Sequence, residues 1–183
     1  MRLGVFFFTF FMQTIEEILL DFKSQRNYKY SANLIAQNKS FIEDLLRYCL
    51  TLKYPYPQYS SWLLSHVAEN HLELVLQYHF EIIDTFLACQ EPSAQRNLCN
   101  VLTKLPKIDY REGELLDVYF SFLSNSETKV ALKVYSMYQI VPFLKKYSEL
   151  KTEFKSTIEA GMQKETPAFA SAGKKVLKQI QNI

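Results

Sequence analysis

Apolar residues recur at spacings of three and four along almost the whole chain, separated by short polar or proline-marked breaks, and this predicts helices nearly throughout. The first helix is expected from about Thr14 to Lys23, where Thr14 and Glu17 have capping-box spacing. A short helix around Tyr28–Gln37 comes next. Ser40 and Glu43 repeat the capping spacing at the head of a third helix, with Phe41, Ile42, Leu45, Leu46, Cys49 and Leu50 on one stripe. Tyr54-Pro55-Tyr56-Pro57 breaks the chain, and Pro57 suits a first helical position because its missing N–H would be unpaired there. The helix it opens carries Trp62, Leu63, His66 and Val67 and ends at Asn70. His71–Cys89 reads as one long helix, with Leu72, Val75, Leu76, His79, Phe80, Ile83, Phe86 and Leu87 on its buried face.

Glu91-Pro92 starts a helix Ser93–Leu105, and Pro106–Gly113 is the longest loop. Helices Glu114–Leu123, Glu127–Val141 and Glu149–Gln163 follow, and Thr166-Pro167 opens the last one. Pro142 kinks or ends its helix, since it removes a hydrogen bond. The helices pair as 41–52 with 57–69, 72–89 with 93–105, 114–123 with 127–141, and 149–163 with 167–181. First helices of successive pairs begin about 40 residues apart, which is the period of helical-hairpin arrays. One amphipathic hairpin cannot bury its own face, so stacking on its neighbours must supply the core.

Two segments carry a resemblance. Ser126-Glu127-Thr128-Lys129-Val130-Ala131-Leu132-Lys133-Val134-Tyr135-Ser136-Met137 is similar to the second helix of a HEAT-type repeat. Thr166-Pro167-Ala168-Phe169-Ala170-Ser171-Ala172-Gly173-Lys174-Lys175-Val176-Leu177 is similar again, with small residues where two helices would cross. The chain resembles HEAT and armadillo repeat proteins, in particular a small bacterial HEAT-like group. The resemblance implies an all-α fold, an α-α superhelix of stacked antiparallel pairs, and a tendency to bind macromolecules. It implies no reaction. The chain departs from the family in lacking the Asp-x-x-x-Arg signature, of which only Arg96 stands in a comparable second helix.

Composition narrows the field. Four glycines, with no Asn-Gly or Asp-Gly pair, disfavour hairpin-rich sheets and phosphate-cradling loops. Cys49, Cys89 and Cys99 form no C-x-x-C pair and sit in apolar stripes, which suits buried thiols in a reducing cytoplasm. Net charge is +2, but residues 1–125 hold 11 Lys/Arg against 14 Asp/Glu, and residues 126–183 hold 10 against 5. Met1–Met12 reads MRLGVFFFTFFM, too short to span a bilayer and without a following cleavage site. Residues 1–12 are therefore expected to be an apolar extension outside the native protein, with Met12 as the expected start and 13–183 as a single domain. The alternative is a tail that associates with membranes.

Candidate chemistry is sparse. His66, His71 and His79 fall close together, but their spacing fits no metal motif, and each has a place in a stripe or at a helix start. The acid pairs Glu16/Glu17, Glu43/Asp44 and Glu112/Glu114 lie near helix N-termini, where the dipole accounts for them. Some HEAT-like proteins are DNA alkyl-base glycosylases with a basic groove, an acid and aromatics. Trp62, Asp84 and Asp117 are the nearest counterparts here, and no catalytic role is carried onto them. No catalytic, cofactor-binding or metal residues are assigned, and no cofactor is expected.

Two groups remain as candidate binding residues. Lys129 and Lys133, Lys151 and Lys155, and Lys174, Lys175 and Lys178 would form one ridge if the hairpins stack in register. Solvated helix faces are the plainer reading. Tyr54, Tyr56 and Tyr59 sit in or beside a proline-stiffened loop and could grip a peptide, with ordinary packing as the alternative. The sequence thus points to a non-enzymatic macromolecule-binding module in the cytoplasm, an adaptor for another protein. The alternative is nucleic-acid binding or DNA repair through the Lys-rich C-terminal hairpins.

Overall fold

The structure is a computed structural model that describes residues 14–25 and 27–181. The expectations for Met1–Met12 lie outside the described residues. Within them the chain forms α1 (Ile15–Gln25), α2 (Tyr28–Gln37), α3 (Ser40–Cys49), α4 (Tyr56–Asn70), α5 (Leu72–Leu76) and α6 (His79–Ala88). The second half forms α7 (Pro92–Lys104), α8 (Glu112–Ser124), α9 (Val130–Phe143), α10 (Lys151–Lys164) and α11 (Pro167–Ile180), with a 3-10 turn at Ser148–Leu150. No strand occurs among the described residues.

Several helix starts have a local cause. Thr14 and Glu17 close the predicted capping box reciprocally: the Thr14 N–H donates to Glu17 Oε2 at 2.8 Å, and the Glu17 N–H donates to Thr14 Oγ1 at 3.2 Å. The box expected at Ser40 does not form. Asn38 takes that place, because its Oδ1 accepts from the Ser40 N–H at 3.3 Å and from Ser40 Oγ at 2.9 Å. Glu91 caps α7 through the Ala94 N–H at 2.6 Å, and Thr166 caps α11 through the Phe169 N–H at 3.4 Å. Pro57 sits in the first turn of α4, as its missing donor allows, and Pro142 lies one residue before the end of α9.

The helices arrange in two layers. Five antiparallel hairpins, α1/α2, α3/α4, α6/α7, α8/α9 and α10/α11, stack one on the next. First helices α1, α3, α6, α8 and α10 form layer A, and second helices α2, α4, α7, α9 and α11 form layer B. The sequence pattern paired four of these hairpins, and the structure adds α1/α2 as a fifth at the N-terminal end. One continuous core runs between the layers, from Ile18 and Leu19 through Leu45, Leu63, Phe86, Leu98, Tyr119, Ile140 and Phe154 to Val176.

The long helix expected over 71–89 is two. Tyr78 donates its N–H to the Val75 carbonyl at 3.0 Å, which closes α5 after little more than one turn, and α6 begins at His79. The division follows from the neighbours: α5 lies against α4, whereas α6 must pack on α3, α7 and α8. The change of direction turns Leu76 and Phe80, placed on the buried face by periodicity, out to 39% and 54% exposure.

Two close approaches set the stacking. On α4, Ser60, Ser61, Ser65 and Ala68 are buried against neighbouring helices. The hydroxyls of Ser60 and Ser65 donate to carbonyls of their own helix at 2.6 and 2.7 Å, so small side chains enter the interface without unpaired polar atoms. Asn97 of α7 donates to Ser61 Oγ at 3.0 Å across it. Between α10 and α11, a Cβ at Gly161 would meet the Phe169 ring at 2.5 Å, and one at Gly173 would meet Ile158 Cγ2 at 2.9 Å. Only glycine lets these two helices come so near.

Candidate interaction surface

Successive helices of layer B touch far more extensively than successive helices of layer A. A two-layer stack with one layer more tightly spaced bends toward that layer, so the outward face of layer B is the concave side.

The residues on that face come from helix periodicity. On α4, Gln58, Trp62, His66 and Glu69 follow at steps of three and four, opposite the buried Leu63, Leu64 and Val67. Tyr28 of α2 stacks on the His66 ring at 4.2 Å between centroids, and Trp62 lies 5.6 Å from the same ring, tilted by 49°. His66 Nδ1 contacts Glu69 Oε2 at 3.1 Å, and Lys104 of α7 lies 3.6 Å from Glu69 Oε1. Tyr28 and Trp62 each remain 37% exposed. Tyr28 meets His66, beside Trp62, because α2 and α4 are stacked neighbours, and no spacing in the sequence joins Tyr28 to that pair.

Charge divides by layer. The helices of layer A hold Glu16, Glu17 and Asp21 on α1, Glu43 and Asp44 on α3, and Glu81 and Asp84 on α6. They add Glu112, Glu114 and Asp117 on α8 and Glu153 and Glu159 on α10, against Lys23, Arg47, Lys151, Lys155 and Lys164. The helices of layer B hold one acid, Glu69, against Lys29, Arg96, Lys104, Lys133 and the three lysines of α11. Sequence windows hide this division, because A and B helices alternate along the chain and their charges average out.

The predicted lysine ridge is not one surface. Lys133 is 1% exposed and pairs with Glu165, so it points between hairpins rather than outward. Lys129 is exposed at the N-cap position of α9. Lys151 and Lys155 belong to layer A, where Lys155 lies 3.8 Å from Glu159, while Lys174, Lys175 and Lys178 are exposed on layer B. The tyrosines also part company. Tyr54 is 68% exposed in the α3–α4 loop, Tyr56 stacks on Tyr48 at 5.1 Å, and Tyr59 is half-buried against the core.

Several titratable groups take part in structural contacts. Asp84 accepts from Arg111 Nη1 at 2.7 Å and from the Tyr110 hydroxyl at 3.0 Å, and Arg111 also holds Glu114. Arg111 has left-handed backbone, φ 48°, and its guanidinium bridges Asp84 on α6 and Glu114 on α8. Cys49, Cys89 and Cys99 are free and buried, and burial pushes the Cys49 thiol up to about 12. His71 turns to Asn33 at 3.3 Å, and His79 is buried in the core, away from His66. Among the described residues no group of three or more His, Cys, Asp or Glu is placed to hold a metal ion. None of the described helices is long and apolar enough to cross a membrane.

No curated protein matches the chain, and no solved structure does. The model of a family described as HEAT repeat domain matches residues 15–180, which spans all five hairpins. The stacked hairpins, the two layers and this match together place the chain in the HEAT repeat domain family.

Proposed function

We propose that this HEAT-repeat chain is a non-enzymatic adaptor that holds another protein against the concave, outward face of layer B. The observation that carries the reading is the aromatic pair Tyr28 and Trp62, both exposed and both packed against His66 on adjacent helices of that face. Exposed tyrosine and tryptophan give large contact area and a polar tip at low entropic cost, which suits them to anchor a partner. Family membership supports the same reading, since HEAT repeats are generally protein-interaction modules. Three buried free thiols fit action in a reducing cytoplasm.

Affinity capture from nuclease-treated native lysate tests it. The expected result is a stoichiometric protein partner that the wild-type chain retains, that Tyr28→Ala with Trp62→Ala releases, and that Lys155→Ala on layer A leaves bound. Partners lost on nuclease treatment alone would overturn the adaptor reading in favour of nucleic-acid binding, which the lysines of α11 would then serve.

A further inference from the structure

We infer that the partner segment docking on layer B is acidic, a stretch of protein rich in Asp and Glu; this rests on the adaptor reading above. The argument starts from ion pairing. On layer A, Arg47 pairs with Asp44 and Lys155 with Glu159, and Lys151 and Lys164, which make no ion pair, share their helix with Glu153 and Glu159. On layer B the single helical acid, Glu69, is already taken by His66 and Lys104. Among the described residues Lys29, Arg96, Lys174, Lys175 and Lys178 make no ion pair. All five are exposed, and they stand on α2, α7 and α11, so they reach from one end of the stack to the other.

Unpaired cations of one sign along a concave face attract an extended polyanion and set its position, and they supply association rate and selectivity. Protein is favoured over nucleic acid by two features. The overall charge is only +2, and layer A is acidic, so a long nucleic acid extending past the concave face meets repulsion. The exposed aromatics cluster at the α2–α4 end, while the lysine cluster sits on α11 at the other. A segment with an apolar anchor at one end and acids beyond it matches that order.

Fluorescence anisotropy with the full chain and a short labelled peptide of Glu, Asp and one Trp tests the inference, with an oligothymidylate of equal charge alongside. The peptide is expected to bind at low salt and to weaken about tenfold or more at high salt. K174E/K175E/K178E is expected to lose about tenfold in affinity, while K151E/K155E on layer A leaves binding unchanged. No binding at low salt, equal binding by the triple variant, or tighter binding of the oligothymidylate would each overturn the inference. The two readings fail separately. A lysate partner released by Trp62→Ala but indifferent to salt and to K174E/K175E/K178E removes the acidic segment and leaves the adaptor standing.

Discussion

At the scale of residues, Lys133 and Glu165 set up an asymmetry that mutation can read. Lys133 is buried on α9, and Glu165, at the end of α10, keeps 27% of its side chain in solvent. Removing the carboxylate strands an ammonium that water cannot reach, whereas removing the ammonium frees a carboxylate that can hydrate. Glu165→Ala is therefore expected to cost about 3–5 kcal/mol in urea unfolding, and Lys133→Met to stay within about 1 kcal/mol of wild type. His79 gives a prediction in pH. Burial, and then the charge of Lys107, hold its folded pKa below the ordinary 6.5. The unfolded chain therefore binds the proton first, and the stability present above pH 6.5 declines as pH falls through that value. His79→Leu is expected to flatten this decline between neutral and mildly acid pH, measured as the urea midpoint.

At the scale of elements, neighbours overrule periodicity in some places and confirm it in others. Leu76 and Ile83 share one stripe in the sequence, yet the break at Tyr78 leaves Leu76 at the surface while Ile83 stays in the core. Ile83→Ala is expected to cost about 2–5 kcal/mol and Leu76→Ala less than about 1 kcal/mol, read from chemical denaturation. The α10/α11 crossing supplies a second test. Alanine ordinarily favours a helix over glycine by about 1 kcal/mol. At Gly161 its Cβ would collide with the buried Phe169 ring, so Gly161→Ala is expected to lower the melting temperature despite that gain. The small residues of the last helix pointed to a crossing there, and the structure names Gly161 as the other half of it.

At the scale of the whole molecule, charge and curvature coincide. The more tightly spaced layer is also the one nearly free of acids, and this places the unpaired lysines on the concave side. The basic character read along the chain, confined to the C-terminal third, is in three dimensions a property of a face. Because the α11 lysines are exposed and unpaired, K174E/K175E/K178E is expected to shift the melting temperature by no more than about 2 °C. A loss of ligand binding in that variant would then report on the surface and not on folding.

The sequence by itself determined the all-α class, most helix boundaries to within a few residues, and four of the five hairpins. Amphipathic spacing, caps and prolines are local, and stripes such as Leu98, Val101 and Leu102 needed no neighbour to be recognised. Only the tertiary structure decided which face each helix turns to its neighbours. On α9 the apolar spacing of Val130, Val134 and Met137 suggests one buried direction, yet Val130 and Val134 are only half-buried, and Leu132, Lys133, Ser136 and Ile140 turn inward instead, Lys133 pairing with Glu165 of the following hairpin. The meeting of Tyr28 with His66 was hidden for the same reason. It arises from stacking between repeats, and the interval of more than thirty residues that separates them in the chain carries no trace of it.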